Sequence, residues 1–393
     1  MTTASGLAAS LSPRETLLSL SSAIISVTIV GIGLSLTLPL LALRLDAQGF
    51  SARAIGFNSA AGGLAVLLGA GAVPALVRRL GVKRLLLLAI LASCTSLLNF
   101  ALTQDYWAWL GIRVVFGGAL TTLFVTSEYW INAIAPPRQR GFVLGLYATS
   151  LAAGFVAGPM ILGFTGAQGI LPFLAGIALF ALASAPIIIW SSTAPGIASV
   201  TGTRFRVILA SVPLAAFAGL LHGAIETASL GLLPIYALRA GQNPETGALL
   251  VSLFALGNVV FQLPIGFISD HMGRGRLLLF LAYLGLFGAI ALAVAGPEQF
   301  LFFCCLLVIW GGAVGSLYAV RLAHLGSRYS GADLASANAA FIILYAIGMI
   351  AGPPIVGFGM DLISPDGLFF SIAALLAFYL VLAWWCRARI SAG

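Results

Sequence analysis

Two apolar segments of the chain carry the same pattern of glycine and proline. The first reads Gly154-Phe-Val-Ala-Gly158-Pro159-Met-Ile-Leu-Gly163, and the second reads Gly348-Met-Ile-Ala-Gly352-Pro353-Pro-Ile-Val-Gly357. Both follow G-x3-G-P-x3-G, and each lies in an apolar run long enough to cross a lipid bilayer as a helix. The return of the pattern after about 194 residues predicts an internal duplication, and a duplicated membrane bundle is typical of a transporter.

The composition places the chain in a membrane. Of the 393 residues, 61% are hydrophobic and 8% are charged, which leaves too few polar side chains to cover a water-soluble surface. The formal net charge of +8 comes from short basic clusters between apolar runs, so nucleic acid is not predicted as a partner. The four cysteines lie within or beside apolar runs and are interpreted as packing residues. With three widely spaced histidines, no metal site is predicted.

Twelve apolar runs are long enough to form spanning helices, which need roughly 20 residues. They lie near 18–43, 55–77, 84–103, 107–132, 141–164, 169–191, 207–238, 246–268, 277–295, 299–323, 336–360 and 367–387. The predicted fold is an all-α integral membrane protein with two parallel six-helix repeats. The predicted domains are an N-terminal bundle at 1–191, a cytoplasmic linker at 192–206 and a C-terminal bundle at 207–393.

Basic residues in the short loops predict the orientation in the membrane. If the N-terminus is cytoplasmic, fifteen of the 19 lysines and arginines fall on the cytoplasmic side. The outer side then keeps only Arg44, Arg53 and Arg239. The first apolar run is long, and we expect it to be retained as a span. The prediction is a multi-pass protein of the bacterial inner membrane with both termini in the cytoplasm.

Further correspondences between the two halves support the duplication. The end of the first span, Leu38-Pro39-Leu-Leu-Ala42-Leu43-Arg44, matches Leu233-Pro234-Ile-Tyr-Ala237-Leu238-Arg239 at the end of the seventh. Gly117-Gly118-Ala119 in the fourth span matches Gly311-Gly312-Ala313 in the tenth. Parallel repeats related by an axis along the membrane normal favour a carrier whose site lies between the halves.

These motifs resemble those of the major facilitator superfamily over essentially the whole chain. Gly266-Phe-Ile-Ser-Asp270-His-Met-Gly273-Arg274 resembles the loop motif Gly-x3-Asp-x2-Gly-Arg, whose first-half copy here has Pro74 and Arg78 in place of the glycine and the aspartate. Arg113-Val-Val-Phe-Gly117 resembles the motif of the fourth helix, which carries a membrane-embedded arginine. Gly145, Gly154, Gly158, Pro159 and Gly163 resemble the antiporter motif of the fifth helix, with Leu162 replacing one glycine. The pattern is most similar to that of small bacterial efflux-type or unassigned carriers.

The resemblance implies gating or conformational roles for several of these residues. The positions concerned are Glu128, Gly145, Gly154, Gly158, Pro159, Gly163, Gly266, Asp270, Gly273, Arg274, Gly348, Gly352 and Pro353. For Gly154 and Gly158 the alternatives are an outer gate and plain helix packing. Glu128, at the cytoplasmic end of the fourth span, forms either an inner gate with Arg78, Arg79 or Arg84 or a simple surface ion pair. Asp270 is expected to act at the cytoplasmic gate by capping a helix.

Charged residues inside the spans are the main candidates for transport chemistry, because each costs about 2.5–3.5 kcal/mol on insertion scales. His222 and Glu226 lie four residues apart in the seventh span and therefore share a helix face. The repeat pairs Glu226 with Gly31, so the first span has no charged counterpart. We interpret Arg113, His222 and Glu226 as proton-coupling or substrate-binding residues. The alternatives are a static His222–Glu226 hydrogen bond that orients the helix and a structural salt bridge for Arg113.

Four uncharged polar side chains within the spans are candidates for lining a cavity. They are Asn58, Asn258, Gln262 and Tyr345. Polar side chains of this kind also hold helices together, which is the alternative interpretation.

The predicted function is secondary active transport by alternating access. No nucleophile–base arrangement or nucleotide motif occurs in the sequence, so no enzymatic activity and no cofactor are predicted, and the energy is expected to come from a gradient. The expected partners are a small molecule, protons and the lipid bilayer, and the protein is expected to be monomeric. We favour proton-coupled export of a small amphipathic or apolar molecule. Uptake of a sugar or organic acid by symport or facilitation, a membrane ligand sensor, and a membrane enzyme using His222 and Glu226 are the alternatives.

Overall fold

The computed structural model describes residues 12–136, 139–190, 213–326 and 331–392. Throughout these ranges the chain is helical apart from short turns, and no strand occurs there. A lipid-embedded backbone must satisfy its hydrogen bonds internally, and helices do so within a single segment. The all-α fold predicted from hydropathy is therefore confirmed.

Twelve α-helices follow one another in the described ranges. They are α1 (Pro13–Ala47), α2 (Ala52–Leu80), α3 (Val82–Leu102), α4 (Tyr106–Ile134), α5 (Arg140–Thr165), α6 (Leu171–Trp190), α7 (Pro213–Arg239), α8 (Pro244–His271), α9 (Arg274–Ala295), α10 (Phe300–Gly326), α11 (Gly331–Leu362) and α12 (Gly367–Ala392). A 3-10 turn at Pro297–Gln299 precedes α10. Each predicted span falls on one of these helices, with ends that differ by a few residues. The first residues of the seventh span, 207–212, and the predicted linker, 192–206, lie outside the described residues.

The helices have the length and apolar character that a bilayer requires. Among the described residues, 11 helices could cross a membrane, and α2 makes 12 if it counts as one span. The two parts of α2, Ala52–Gly69 and Gly71–Leu80, meet at 60°. Glycines flank this bend and Pro74 lies in the following turn, where proline removes a backbone hydrogen bond.

The helices form two compact units. Unit 1 comprises Met1–Thr37 and Ala65–Ser199, and unit 2 comprises Leu38–Leu64 and Val200–Gly393. The end of α1 and the first part of α2 thus pack with helices from the second half of the chain. The predicted domain boundaries follow the sequence repeat and do not include this exchange; they stay a prediction.

In unit 1, α1 and α5 approach each other backbone to backbone. A side chain at Gly154 would meet the Thr28 carbonyl, the Ile32 nitrogen at 3.0 Å and the Cα of Gly31 at 3.1 Å. A side chain at Gly158 would meet Ser35 in the same way. Ser35 Oγ also donates a hydrogen bond to the Gly154 carbonyl at 3.1 Å. Glycine at these two positions is therefore what allows the two helices to pack.

In unit 2, α7 and α11 pack through the second copy of the motif. A side chain at Gly348 would meet the backbone of Leu220 and Ala224, and one at Gly352 would meet Ala224. The repeated glycines thus perform the same packing role in both units. Helices in lipid gain little from the hydrophobic effect, so close contact of this kind supplies much of their attraction.

The outer glycines of the α5 motif differ from the inner pair. A side chain added at Gly145 or Gly163 would meet no atom of the described part of the chain within 4 Å. Pro159, beside Gly158, is buried within the helix. The gating roles expected for this motif stay predictions, while the packing role belongs to Gly154 and Gly158.

We expect Gly154→Ala and Gly163→Ala to change stability in opposite directions. The added methyl group at Gly154 meets backbone atoms, and overpacking of this kind costs about 1–3 kcal/mol. At Gly163 the methyl group has space, and removing glycine from a helix stabilises by about 0.4–1 kcal/mol. Thermal unfolding of the two purified variants in detergent is followed by tryptophan fluorescence. Only Gly154→Ala should have a lower melting temperature than the wild type. Equal melting temperatures would contradict the packing role.

Candidate functional site

The candidate site lies on α7, whose residues are mostly buried within unit 2. His222 and Glu226 occupy one face of this helix, as their spacing predicts. His222 Nε2 lies 3.6 Å from Glu226 Oε2, with 6% of the histidine side chain and 14% of the glutamate side chain exposed. This separation allows an ion pair but exceeds the range of a direct hydrogen bond.

The other ring nitrogen of His222 fixes the tautomer. Nδ1 lies 3.3 Å from the Val314 carbonyl oxygen on α10. A carbonyl oxygen can only accept, so we assign a proton to Nδ1. In the neutral ring Nε2 would then present a lone pair to the carboxylate. At 3.6 Å the imidazole and the carboxyl group face each other without a direct hydrogen bond.

Tyr345 on α11 completes the polar contacts of Glu226. Its hydroxyl donates a hydrogen bond to Glu226 Oε2 at 2.6 Å, a length typical of a hydroxyl bonded to an ionised carboxylate. Tyr345 was predicted as a cavity-lining residue, and the structure places its hydroxyl directly on the carboxyl group. Glu226 therefore has a hydroxyl donor from α11 and an imidazole from its own helix.

Gly223 makes this contact possible. A side chain at Gly223 would meet the carbonyl oxygen of Tyr345 and, at 3.0 Å, the Tyr345 ring. The absence of a side chain lets α11 approach α7 one turn before Glu226. Gly223 was missed in the sequence, because a single glycine in a helix with several others carries no distinctive signal.

Aromatic rings cover the remaining side of His222. The ring of Tyr318 on α10 lies 5.5 Å from the imidazole, and that of Tyr345 lies 5.9 Å from it. Phe341 on α11 joins them, at 5.9 Å from Tyr318 and 6.3 Å from Tyr345. We name His222, Glu226, Tyr318, Phe341 and Tyr345 the Glu226 cluster. Tyr318 and Phe341 were not predicted. Only tertiary packing brings Tyr318 to α7, whereas Phe341 lies one turn before Tyr345 on α11, a spacing that the sequence displays.

The packing revises the repeat partner of Glu226. Gly31 faces the Leu151 carbonyl in unit 1 as Gly223 faces the Tyr345 carbonyl in unit 2. The structural counterpart of Gly31 is therefore Gly223, and the pairing of Gly31 with Glu226 was wrong. That pairing was extrapolated from the matching helix ends at Leu38 and Leu233, but the distance from Gly223 to Leu233 is three residues longer than that from Gly31 to Leu38.

The corrected register pairs Glu226 with Leu34 and Tyr345 with Leu151. Both counterparts are apolar. The asymmetry between the repeats therefore holds after the correction: the α7–α11 seam carries a carboxyl group and a phenol where the α1–α5 seam carries two leucines.

Arg113 lies elsewhere, in unit 1. It is 3% exposed in α4, one turn from Trp109 and Phe116. The rings of these two residues each pack edge-to-face with Phe100, at 6.0 Å and 6.3 Å. Within unit 1, Arg113 thus lies on the same helix as two residues of an aromatic core, and its coupling role stays a prediction.

The predicted cytoplasmic gate is described only in part. Arg78, Arg79 and Arg84 have exposed side chains, and Glu128 lies in the last two turns of α4. The side chain of Asp270 lies outside the described residues. A side chain added at Gly266 would meet nothing within 4 Å, and one at Gly273, directly before Arg274 and α9, would reach only Arg276 at 4.0 Å. The gating roles of these residues stay predictions.

The remaining cavity candidates lie in unit 2. Asn58 is fully buried, and Gln262 is half-buried. Asn258 packs against Gly315 of α10, where an added side chain would meet its amide carbon and oxygen. That contact is typical of a polar residue that joins two helices. Within the described ranges, no group of three His, Cys, Asp or Glu residues could hold a metal ion.

The whole chain can be compared with known families. The model of the Major Facilitator Superfamily matches residues 23–243 and 215–392. The chain belongs to the Major Facilitator Superfamily. It is 28% identical over 362 residues to the uncharacterized MFS-type transporter YfkF of Bacillus subtilis, covering 90% of this chain and 92% of that protein. It is 26% identical over 307 residues to the uncharacterized MFS-type transporter YE1530 of Yersinia enterocolitica, covering 75% and 76%.

Solved structures share the superfamily fold. The nucleoside transporter NupG superposes with a TM-score of 0.74 at 17% identity, covering 95% of this chain and 98% of that chain. A bacterial homologue of the human lysosomal transporter Spinster, in an inward-facing and unoccupied conformation, gives 0.73 at 14% identity, covering 95% and 96%. At these identities the likeness shows the fold alone. The chain is thus a superfamily transporter with a multi-pass membrane fold.

We expect the Tyr345–Glu226 hydrogen bond to contribute measurably to stability. Tyr345→Phe removes the donor and keeps the ring, so it should cost about 0.6 kcal/mol, the average for hydrogen bonds between membrane helices, and at most about 1.7 kcal/mol. In a Glu226→Gln background the same change should cost about half as much, because a neutral acceptor forms the weaker bond. Melting temperatures of the two single variants and the double variant test this cycle.

Tyr283→Phe is the matched control for that cycle. Tyr283 lies on α9 and is 49% exposed, so loss of its hydroxyl should leave the melting temperature unchanged. Strict additivity of Tyr345→Phe and Glu226→Gln would show that the two side chains do not interact.

Proposed function

We propose that the protein is a proton-coupled exporter of a small amphipathic or apolar molecule and that Glu226 carries the proton. The observation that supports this most directly is the 2.6 Å hydrogen bond from Tyr345 to a carboxyl group that also lies 3.6 Å from His222. A carboxyl group with two partners inside a span can gain or lose a proton without leaving an unpaired charge in the hydrocarbon.

Competition between a proton and the substrate for the carboxyl group of Glu226 would couple the proton flux to the substrate flux. In the protonated form Glu226 is neutral, and the cluster presents rings and hydroxyl groups. In the ionised form the carboxylate needs donors, which His222, Tyr345 or a polar group of the substrate can supply. A substrate that takes one of these places excludes the proton, and the proton excludes the substrate. Alternating exposure of such a group to the two sides of the membrane yields antiport.

The aromatic part of the cluster favours a substrate with an apolar body. Tyr318 and Tyr345 present their rings to the imidazole, and Phe341 packs against both tyrosines. Few other charges lie in the spans. A molecule with one polar group and a hydrophobic body would satisfy both parts of the cluster. The glycine pattern of α5, which resembles the antiporter motif, supports export over uptake. We also propose that the protein works as a monomer in the bacterial inner membrane with both termini in the cytoplasm.

Substrate identity can be approached by binding and then by flux. Candidate compounds are screened by thermal shift of the full-length protein in detergent. The panel contains amphipathic drugs and dyes, sugars and organic acids, and also nucleosides, because NupG, which shares the fold, is a nucleoside transporter. Compounds that raise the melting temperature are then followed across proteoliposomes with and without an imposed pH gradient.

The direction of flux separates the possible mechanisms. Accumulation of the compound against its gradient on the acidic side indicates antiport with protons. Movement together with protons into the alkaline compartment indicates symport and would overturn the export proposal. Saturable binding without counterflow would identify a ligand sensor.

For the compound so identified, Glu226→Gln should abolish gradient-driven flux and retain exchange. Glutamine keeps the size and the hydrogen-bonding oxygen of the side chain but cannot release a proton at neutral pH. We expect the rate with a pH gradient to fall to the rate without one. Substrate flux across proteoliposomes, measured with and without a pH gradient and with fluorescent recording of pH, gives both rates.

Glu245→Gln provides the control. Glu245 is exposed in the first turn of α8 and should retain full coupling after the same substitution. Gradient-driven flux that persists in Glu226→Gln would rule out Glu226 as the proton carrier.

A further inference from the structure

A second cluster of charged groups lies at the end of α11, outside the Glu226 cluster. The carboxylate of Asp361 accepts hydrogen bonds from the backbone N–H groups of Ala52, at 3.0 Å, and Arg53, at 2.9 Å. These residues begin α2. The first N–H groups of a helix have no partner within the helix and carry partial positive charge. Asp361 therefore caps α2 from a residue about 310 positions later in the chain.

Arg239, at the end of α7, holds the same carboxylate from the other side. Its Nη2 lies 3.2 Å from Asp361 Oδ1, and its Nη1 donates to the Met360 carbonyl at 3.0 Å. The side chains of Arg239 and Asp361 are 22% and 26% exposed. The guanidinium thus binds both the carboxylate and the end of α11, and both carboxylate oxygens are used.

The backbones of α2 and α11 meet at the same place. A side chain at Gly357 of α11 would meet the Ala52 backbone, and one at Gly56 of α2 would meet the Pro353 carbonyl. Pro353 was predicted to have a conformational role, and the structure places its carbonyl against α2. The cap is therefore one end of a close helix contact and does not stand alone.

The contact joins the two halves of the sequence. The start of α2 belongs to the first repeat, and α7 and α11 belong to the second. Arg53 and Arg239 are also two of the three arginines assigned to the outer face by the positive-inside pattern. The contact thus falls at the membrane face opposite the basic loops.

We propose that Asp361, Arg239 and the first two N–H groups of α2 form an outer latch, which holds α2 against α11 and opens when the transporter exposes its site to the exterior. We call this set the Asp361 latch. Its parts are a carboxylate and a guanidinium, both accessible in part to water, and a helix N-terminus whose first residue, Ala52, is buried. Water can replace each of them when the helices separate, so the latch can break and re-form in every cycle.

Labelling of a buried cysteine reports opening without knowledge of the substrate. Ser59 is 2% exposed, and its hydroxyl packs against Gly231 of α7, where an added side chain would lie 2.9 Å away. Ser59→Cys is introduced into the full chain after Cys94, Cys304, Cys305 and Cys386 are replaced by serine. The rate of modification by a membrane-impermeant maleimide is measured in intact cells and, separately, in inverted vesicles. Modification after denaturation gives the total amount of cysteine that can be labelled.

Asp361→Ala should accelerate labelling from outside. The variant loses both the cap and the ion pair, and one helix cap alone changes an equilibrium by about fivefold. We expect at least that increase for Asp361→Ala and a smaller increase for Arg239→Gln, which keeps the cap. Asp361→Asn, whose one amide oxygen replaces only one of the two carboxylate oxygens that accept from Ala52 and Arg53, should fall between wild type and Asp361→Ala and is measured in parallel.

Asp105→Ala is the matched control. Asp105 caps α4 by accepting from the Ala108 N–H at 2.7 Å, so this variant also loses a helix cap, but within a single helix of unit 1. Its labelling rate should equal that of the wild type. Equal rates in Asp361→Ala and Asp105→Ala would overturn the latch, and acceleration seen only in inverted vesicles would overturn its assignment to the outer face.

The charge-swapped double variant Arg239→Asp with Asp361→Arg separates the cap from the ion pair. It restores an ion pair but places a cation at the N-terminus of α2. If the cap is part of the latch, labelling of the cysteine in this double variant should stay fast, as in Asp361→Ala. Slow labelling in this variant would show that the ion pair alone holds the helices and would overturn the role of the cap.

Discussion

Close backbone contact between α7 and α11 is the interaction on which the candidate site depends. Lipid tails compete with apolar side chains for the surfaces of helices, so helices in a bilayer are held by fitted contacts and polar bonds more than by burial of apolar area. Gly223, Gly348 and Gly352 remove the side chains that would separate these two helices. With the backbones in contact, a tyrosine on one helix comes within 2.6 Å of a carboxyl group on the other. The polar bond exists because the glycines bring its partners together.

The fold could be predicted almost completely from the sequence. Long apolar runs separated by short polar loops define the helices, because hydrocarbon leaves the backbone few alternatives. The glycine motif also indicated which faces pack, and the spacing of His222 and Glu226 placed them on one helix face. Each of these inferences uses a local pattern or a period along one helix, which a single sequence displays directly.

The contacts between helices were harder to predict. Tyr318 and Asp361 reach their partners only through tertiary packing, and no spacing in the sequence relates them to α7 or α2. The repeat partner of Glu226 was placed wrongly for a similar reason. Matching motifs fix the register only near themselves, and the stretch between Gly223 and Leu233 is three residues longer than its counterpart. Nearly one helical turn separates the two registers, and the backbone contacts of the packed glycines, such as Gly31 and Gly223, distinguish them.

The same two helices carry both charged clusters of unit 2. Glu226 and Arg239 lie on α7, and Tyr345 and Asp361 lie on α11. At 1.5 Å per residue, the clusters are separated by roughly 20 Å along α7 and 24 Å along α11. The glycine contacts restrict sliding between the helices, because any shift would drive a backbone carbonyl into a neighbouring Cα. If α7 and α11 move as one body, a change in the charge of Glu226 and the opening of the Asp361 latch are two events on a single rigid element. Coupling between proton and conformation then requires no chain of side chains across the membrane, because the helix pair itself connects the two ends.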